Sequence, residues 1–391
     1  MIKTSMRLIN SLVLENGELK ENDVSIEGGF ISQGAFREVD LSGYLILPGI
    51  IDLHGDAFER HLAPRPSAAF PMRSCLMATD ADAAANGITT AYLAHSWSWE
   101  GGYRSPDHAE AFLTALNEYK TITRTDLRAQ IRCETHTVSS KERLLKAIQR
   151  YGVEYVVFNN HLDEASELLQ TDPSKLTNWA LAAGRSVEDH QRAIKDASAQ
   201  SSAVPRYLCE LAEAFDFMGV RYGSHDDQNA ETRENYSMIG AKICEFPISF
   251  SATTAAKIIG DPVLMGAPNI VRGDSQSGNI SAIDVVRNNQ CDALVSDYYY
   301  PALCQAAFTL KNQEIQSLPE AWAKISSAPA EILGLTDRGI IEQGKRADLT
   351  IVNRNSEMVE ATICEGQITY MTGEAANRFC NSTNLQRYAA E

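Results

Sequence analysis

The sequence is short of positive charge. Its 35 Lys and Arg residues stand against 51 Asp and Glu residues, which leaves a net charge of −16 at pH 7. Proteins that bind nucleic acid do so largely by neutralising phosphates with Lys and Arg, so nucleic acid is excluded as the expected partner. The same excess of negative charge repels an anionic substrate at long range. Such a substrate would have to be held by metal ions and a few local arginines.

The sequence also lacks long apolar runs and an apolar leader. No stretch approaches the ~20 uninterrupted apolar residues that a membrane span requires, and residues 1–8 do not form the apolar part of a secretory signal. The eight cysteines are scattered without paired spacing, which is not typical of a disulfide framework. We therefore expect a cytoplasmic protein with reduced thiols and no membrane partner, for which a homodimer remains open.

One segment stands out among what is present. The apolar run Tyr44–His54 contains Asp52, ends at His54 and is followed by Asp56. Near-continuous apolar runs are typical of parallel strands covered on both faces, and the strand period of two points Asp52 and His54 the same way. Alone, this segment fits a metal-binding strand end and an ordinary polar strand end equally well.

The remainder of the chain repeats this pattern. Apolar stretches with polar or ionisable ends recur at 88–95, 129–136, 153–161, 220–227, 241–247, 262–269 and 292–298, and helix-like stretches between them include 108–120, 141–151, 207–218 and 229–240. Alternating strands and helices predict a parallel sheet. Eight strands with charged ends predict an α/β fold, a closed (β/α)8 barrel of TIM type, with its site at the carboxyl ends of the strands.

The chain has material for a second unit, because its 391 residues exceed the roughly 250 of a bare barrel. Both ends alternate short apolar stretches with turn signals such as Glu15-Asn-Gly and Glu27-Gly-Gly, which are typical of β-hairpins. We predict a small β-sandwich built from residues 1–48 and 340–391, beside a barrel formed by residues 49–339.

At this point the sequence resembles a known family. The strand Leu-Pro-Gly-Ile-Ile-Asp-Leu-His54 and the late Gly-x-Ile-x-x-Gly-Lys-Arg-Ala-Asp348 are similar to the two ends of an amidohydrolase-superfamily enzyme. Closer signatures resemble its phosphonate-metabolism branch, the α-D-ribose 1-methylphosphonate 5-triphosphate diphosphatases. They lie at 52–61, 64–66, 132–134, 224–227, 245–247, 265–269, 272–279 and 296–298. The chain departs from the branch pattern at Gln276, where His is usual, and at Gly55, where Thr is usual.

The resemblance implies a metal centre with one or two divalent ions, zinc first, with manganese or iron as alternatives. The implied ligands are His54, Asp56, Glu134, His161, His225 and Asp297. An Asp in place of a second His makes such a site harder, which suits these metals. Asp297, at the end of the eighth strand, would also be the catalytic base that takes the proton of the attacking water.

Some of these assignments have alternatives. Glu134 could instead form an ion pair with an arginine such as Arg132. Of Asp226 and Asp227, which follow His225, we expect at least one to cap the next helix.

A second alternative concerns the fourth to sixth strands. By strand count His161 follows the fourth strand and His225 ends the fifth, whereas the superfamily pattern has histidines on the fifth and sixth. Glu245 ends the sixth strand and could take the place of the second histidine, or be a buried carboxylate paired with an arginine. The sequence leaves His161 and Glu245 as competing ligands.

Substrate binding is assigned to residues around the same strand ends. Arginine presents a planar fork that suits phosphate oxygens, and backbone amides of a Ser/Gly loop can bind anions. The assigned residues are Arg60, Arg65, Asn269, Arg272, Ser277 and Asn279. His61 either contacts a phosphate or faces solvent, and Trp97 and Trp99 are expected to cover the barrel mouth.

Two enzyme classes follow. The first is a metal-dependent hydrolase of phosphonate metabolism, which cleaves α-D-ribose 1-methylphosphonate 5-triphosphate to the 5-phosphate and diphosphate by attack of a metal-activated water. The alternative is an amidohydrolase or deaminase acting on a C–N bond of a small cyclic or acylated substrate. The arginines favour the first, and Gln276 and Gly55 leave room for the second. The intact ligand set speaks against an inactive metal-bearing scaffold.

Overall fold

The computed structural model describes residues 5–65, 68–273, 275 and 278–381. The strands within these residues are, in chain order, β1 Met6–Glu15, β2 Glu18–Glu27, β3 Phe30–Ser32, β4 Glu38–Asp40, β5 Tyr44–Pro48, β6 Ile50–Gly55, β7 Ile88–Trp97, β8 Asp126–Glu134, β9 Tyr155–Asn159, β10 Arg221–His225, β11 Ile243–Glu245, β12 Val263–Gly266, β13 Ala293–Val295, β14 Leu349–Asn353, β15 Val359–Cys364 and β16 Gln367–Met371.

The α-helices of the same residues are α1 Glu59–Leu62, α2 Met72–Ala85, α3 Pro106–Tyr119, α4 Lys141–Tyr151, α5 Leu162–Thr171, α6 Leu176–Ala182, α7 Val187–Ser198, α8 Val204–Met218, α9 Ala230–Met238, α10 Phe250–Ile259, α11 Ala267–Arg272, α12 Ala282–Arg287, α13 Ala302–Asn312, α14 Leu318–Ala323, α15 Ser327–Leu333 and α16 Gly373–Cys380. Short 3-10 turns occupy Gly102–Arg104, Val138–Ser140, Pro173–Lys175 and Ser201–Ala203. In the described part of the chain, no helix combines the length and the apolar character needed to cross a bilayer.

The eight strands β6 to β13 form one parallel sheet in chain order. A further parallel bridge joins Gly55, at the end of β6, to Asp297, just beyond β13, and thereby brings the first and last strands together. Strands of this sheet are buried on both faces, as β7 shows with all ten of its residues buried. The predicted (β/α)8 barrel is confirmed, with every carboxyl strand end at the same rim.

A buried carboxylate ties the first strand to the last. Asp52, in the middle of β6, accepts hydrogen bonds at 2.9 Å from the amide and at 2.6 Å from the hydroxyl of Ser296. Burial raises the pKa of Asp52 to about 6, against the lowering effect of these bonds. Asp52 therefore links the first strand of the barrel to the end of the last, whereas His54, two residues later, lies in the site described below.

This role predicts different results for two substitutions. Asp52→Ala leaves two buried donors of Ser296 without an acceptor, so we expect the free energy of unfolding to fall by about 2–4 kcal/mol. Asp52→Asn keeps an acceptor oxygen and removes a buried charge, so its loss should be under about 1 kcal/mol. Denaturant unfolding of the metal-free variants measures both. If Asp52→Asn and Asp52→Ala lowered the free energy of unfolding equally, the stabilisation would come from the charge of Asp52 and not from its hydrogen bonds.

The two ends of the chain form a second sheet, in the order β16-β15-β14-β5-β1-β2-β3, with β4 paired to β1. Its pairs are antiparallel except for those of β1 with β4 and β5. The predicted hairpins are present, since the turn of Asn16 and Gly17 joins β1 to β2, and that of Gly28 and Gly29 joins β2 to β3. All four turn residues have the positive φ that such hairpin turns require.

The run Tyr44–His54, which the sequence predicts as a single strand, is two strands. The chain changes sheets at Gly49, between β5 of the terminal sheet and β6 of the barrel. A side chain at Gly49 would lie 2.3 Å from the hydroxyl of Thr89, so only glycine fits this crossing. The apolar pattern could not reveal the break, because both strands are fully buried.

The connection between β9 and β10 carries an insertion of helices α5, α6 and α7 before the barrel helix α8. The insertion has its own small apolar cluster, which includes Leu162, Leu176 and Ile194. It packs against the loop after β7, where Arg185 donates to the carbonyl of Trp99 at 3.3 Å. This contact places the insertion beside the barrel mouth.

Candidate active site

The implied metal ligands meet at the carboxyl ends of the barrel strands. Donor atoms of His54, Asp56 and Asp297 lie within 4.8 Å of one another, and so do those of His54, His225 and Glu245. A second cluster, equally close, consists of Glu134, His161 and the additional residue Glu100. The structure thus brings His54, Asp56, His225 and Asp297 together and places Glu134 and His161 in a cluster with Glu100.

Glu245 lies beneath the two histidines and is fully buried. One of its oxygens is 2.9 Å from Nδ1 of His54 and 3.2 Å from Nδ1 of His225. The other accepts from the amide of Gln130 at 2.6 Å and from the hydroxyl of Tyr155 at 2.5 Å. Burial would raise the pKa of Glu245, but the charges and hydrogen bonds of both histidines hold it well below its usual range.

Four donors occupy the acceptor positions of this carboxylate, so little capacity is left for a metal ion. Its bonds instead direct Nε2 of His54 and of His225 toward a metal. A carboxylate that accepts the second N–H of a metal-binding histidine fixes the tautomer and the ring orientation. The sequence left His161 and Glu245 as competing metal ligands. This geometry favours a different role for Glu245, which orients the two histidines, and leaves His161 as a candidate ligand in the second cluster.

The backbone fixes the position of Asp297. Its amide donates to the carbonyl of His54 at 3.0 Å, and its carbonyl accepts from the amide of Asp56 at 2.9 Å. Burial and the neighbouring charge of Asp56 raise the pKa of Asp297 to about 6. A carboxylate in this position can bind a cation and accept a proton near neutral pH.

Three residues at these strand ends have left-handed backbone conformations. The φ angles are 60° at Asp226, 48° at Phe246 and 54° at Asp297. Asp tolerates this region better than most residues, whereas a bulky Phe does so only under constraint. Such strain is held by surrounding structure and concentrates at functional sites, which supports this rim as the site.

The second cluster centres on His161, just after β9. Its Nδ1 is 2.7 Å from Glu134 and 3.0 Å from Glu100. Burial would lower the pKa of His161, but hydrogen bonds to these two carboxylates raise it to about 9. Burial would likewise raise the pKa of Glu100, but His161 and the ion pair with Arg104 lower it to about 2. The three side chains form a set of one nitrogen and two carboxylate donors, with both carboxylates buried and the histidine partly buried.

The expectation that Asp226 or Asp227 caps the next helix is wrong. Asn229 is the N-cap of α9, and its side chain accepts from the amide of Thr232 at 3.0 Å. Asp227 is buried and pairs with the equally buried Arg233 at 3.1 Å. Asp226 instead lies in the open part of the site.

A cavity of about 190 Å³ opens beside His225 and Asp297. Its lining includes Asp226 together with the assigned substrate residues Asn269 and Asn279. The assigned Ser277 and the departure at Gln276 lie outside the described residues. A larger cavity, of about 430 Å³, lies at the opposite end of the barrel, away from the strand ends where chemistry occurs in this fold.

The assigned arginines are dispersed. Arg60 forms an ion pair with Asp82 on α2, and His61 lies 3.7 Å from the same carboxylate. Arg65 is exposed. Arg272 is exposed at the end of α11 and donates at 3.3 Å to the hydroxyl of Tyr298, which lines the cavity. Of these arginines, Arg272 contacts the wall of the cavity.

Arg132 is a site residue that the sequence assigned only as a partner for Glu134. It lies between the metal-ligand candidates, with one nitrogen 3.7 Å from Asp56 and another 3.4 Å from Nε2 of His225.

Glu100 is a second site residue, to which the sequence analysis assigned no role. It precedes the glycine pair Gly101 and Gly102 in the loop after β7. The residues that would share a metal with Glu100 are His161, after β9, and Glu134, at the end of β8, so the local sequence offered no signal for it.

The aromatic segment formed by the end of β7 and the loop after it is mainly buried. His95 donates from Nδ1 to the carbonyl of Ser96 at 2.9 Å, and its Nε2 lies 2.9 Å from Nδ1 of His108. Burial lowers the pKa of His95 to about 3, so the ring is neutral. Trp97 is fully buried in the main apolar core and does not lie over the mouth, whereas Trp99 packs against the apolar cluster of the inserted helices.

Comparison with known proteins agrees with this architecture. The model of a family described as the amidohydrolase family matches residues 304–370. Among solved structures, N-acetylglucosamine-6-phosphate deacetylase from Pasteurella multocida has a TM-score of 0.62 at 12% identity, covering 93% of this chain and 99% of that one. Dihydropyrimidinase from Brevibacillus agri has a TM-score of 0.57 at 12% identity, covering 94% of this chain and 95% of that one. These solved structures share the fold of this chain, and the family model together with the relative described next shows a hydrolase of the amidohydrolase superfamily.

A sequence relative narrows this class. The chain is 31% identical over 364 residues to α-D-ribose 1-methylphosphonate 5-triphosphate diphosphatase of Escherichia coli K12, covering 89% of this chain and 95% of that protein. The chain belongs to the α-D-ribose 1-methylphosphonate 5-triphosphate diphosphatase family.

Proposed function

We propose that this protein is a divalent-metal-dependent diphosphatase of phosphonate metabolism. It would hydrolyse α-D-ribose 1-methylphosphonate 5-triphosphate to the 5-phosphate and diphosphate in the cytoplasm. The observation that carries the proposal is the convergence of His54, Asp56, His225 and Asp297 at one rim. This convergence occurs in a chain that aligns with nearly all of a diphosphatase of that specificity.

The donor set fits a divalent ion. Two imidazoles held by one carboxylate, with Asp56 and Asp297 beside them, match the mixed nitrogen and oxygen ligands of zinc, manganese and iron sites. When bound, such an ion lowers the pKa of a coordinated water from about 15.7 to ~7. Glu100, Glu134 and His161 are proposed to hold a second ion.

The chain's own residues would then carry the proton. Asp297 lies at the cavity wall with a raised pKa, so it can take the proton of the attacking water and return it to the product. Asn269, Asn279 and Arg272 are proposed to orient the phosphorylated sugar, because the first two line the same cavity and the third adjoins it.

The departure at Gly55 has a packing explanation. A Cβ atom there would lie 2.6 Å from the carboxylate of Asp52 and 2.9 Å from the hydroxyl of Ser296. Gly55 thus accommodates the hydrogen-bonded closure of the barrel. Because it lies against this closure, it is weak support for a C–N bond substrate.

One prediction concerns the orienting carboxylate. A glutamine at position 245 is uncharged and has one acceptor oxygen for the four donors that the carboxylate serves with two, so we expect Glu245→Gln to weaken metal binding by about 10–100-fold. Competition with a fluorescent chelator measures this affinity. Tyr155→Phe, which removes a donor from the other oxygen, should have a smaller effect. An unchanged affinity in Glu245→Gln would contradict the orienting role.

The direct test is diphosphate release by the metal-loaded enzyme from α-D-ribose 1-methylphosphonate 5-triphosphate, beside a panel of lactams, N-acyl amino acids and aminated bases. Arg272→Ala and Arg65→Ala should weaken triphosphate binding by ~1.5–3 kcal/mol, the range for a charge-assisted contact. Arg206→Ala, at an exposed ion pair on α8, is the matched control. Activity confined to the C–N substrates and indifferent to both arginines would overturn the proposal.

A further inference from the structure

Arg132 is an unusual arginine for its position. It lies in β8, two residues before Glu134, and is only 8% exposed. Its guanidinium group is between Asp56 and His225, which come from opposite sides of the barrel mouth. A cation buried here is at the centre of the site.

The guanidinium group of Arg132 also has few hydrogen-bond acceptors for its N–H groups. Within the described residues, its contacts are the 3.4 Å hydrogen bond to His225 and the 3.7 Å ion pair with Asp56, and its buried Nε has no hydrogen-bond partner. A guanidinium group has five N–H donors, and burying a charge is costly unless it is paired and hydrogen-bonded.

Two structural arginines of the same barrel provide the contrast. Arg233 is fully buried and donates to Ser224, to Asp227 and to two backbone carbonyls. Arg338 donates to Thr90, Asp126 and Asp337. Arg233 also has a buried Nε without a hydrogen-bond partner in the described part of the chain, so the difference lies in the terminal nitrogens. Those of Arg233 and Arg338 have several acceptors within the described residues, whereas those of Arg132 make one long hydrogen bond.

Metal binding would leave the Arg132 guanidinium group with even fewer hydrogen-bond acceptors. The atom of His225 that accepts from Arg132 is Nε2, the same nitrogen that Glu245 leaves available for a metal. Once Nε2 binds a metal, Arg132 loses this acceptor and keeps its buried charge. An anion beside the metal would supply the missing acceptors.

We propose that Arg132 binds nonbridging oxygens of the phosphoryl group under attack and stabilises the charge that develops there. This inference rests on the proposed function. In the step, the water oxygen bonds to the α-phosphorus and the α–β bridging P–O bond breaks. The electron pair leaves on diphosphate, and the water's proton passes to Asp297. A planar fork held on a rigid strand suits two such oxygens and needs little reorganisation.

The test compares variants of Arg132 in the metal-loaded enzyme. Arg132→Ala should lower kcat for the triphosphate by about 10²–10³-fold, the usual cost of removing one preorganised donor. Metal content should remain that of the wild type. Free guanidinium ion at millimolar concentration should restore part of the activity, and Arg132→Lys, which lacks the fork, should recover only part of it. Arg206→Ala should be unaffected, with and without guanidinium.

A binding measurement keeps the two proposals separable. Calorimetry with ribose 5-phosphate, which carries the phosphoryl group that Arg132 would hold, is done on the metal-loaded Asp297→Asn protein with and without Arg132→Lys. The lysine variant should show at least a tenfold loss of affinity. Wild-type enzyme that releases no diphosphate from the triphosphate would refute the proposed function alone. Arg132 variants with near-normal turnover, no guanidinium rescue, or unchanged ribose 5-phosphate affinity would overturn the role of Arg132.

Discussion

Asp297→Asn should reduce turnover by about 10²–10⁴-fold while substrate binding largely persists, the usual contribution of a general base. The asparagine amide has nearly the same shape but cannot accept the proton of the attacking water. The two backbone hydrogen bonds to His54 and Asp56 do not involve the side chain, so the strand end should keep its position. Steady-state kinetics with diphosphate detection, at matched metal content, measures the effect.

A neighbouring carboxylate offers a matched control. Asp226 lines the same cavity and shares the left-handed backbone conformation, with φ of 60° against 54° for Asp297. Asp226→Asn should therefore lower kcat far less. If Asp297→Asn kept more than about a tenth of wild-type turnover with metal bound, Asp297 would not be the base.

Removal of metal should abolish activity. Without the ion, no group of the site lowers the pKa of water to ~7, and the remaining carboxylates would repel the anionic substrate. A chelator at neutral pH should take diphosphate release to the assay background, and added zinc, manganese or iron should restore it. Elemental analysis before and after this treatment gives the stoichiometry.

The metal content of single variants should show which residues hold each of the two proposed ions. His225→Ala should lose the ion proposed beside His54, and Glu100→Gln should lose the one proposed beside Glu134 and His161, each by about one equivalent if both clusters are occupied. A surface change such as Arg206→Ala should leave the metal content unaltered. Protein purified without chelators that holds substoichiometric metal, and that none of the three metals reactivates, would contradict the metal centre.

The sequence alone determined the barrel and the position of its site. Apolar period and strand–helix alternation are local properties, so they located the eight strands and several helices, including α4 at Lys141–Tyr151. Parallel strands in a barrel share one carboxyl rim, so the ionisable residues after them had to be neighbours. That reasoning predicts His54, Asp56, His225 and Asp297 at one rim, and the family resemblance implies that they bind metal.

The tertiary structure decided the partners of each side chain. Glu245 could be assigned an orienting role only when its four donors, from β6, β8, β9 and β10, were seen together. Glu100 joins His161 across 61 positions, and Asp52 joins Ser296 across 244. Arg132 is distinguished from a structural arginine only by the acceptors it lacks. Hydrogen bonds act over about 3 Å, and no local pattern records which distant groups the closed barrel brings within that range.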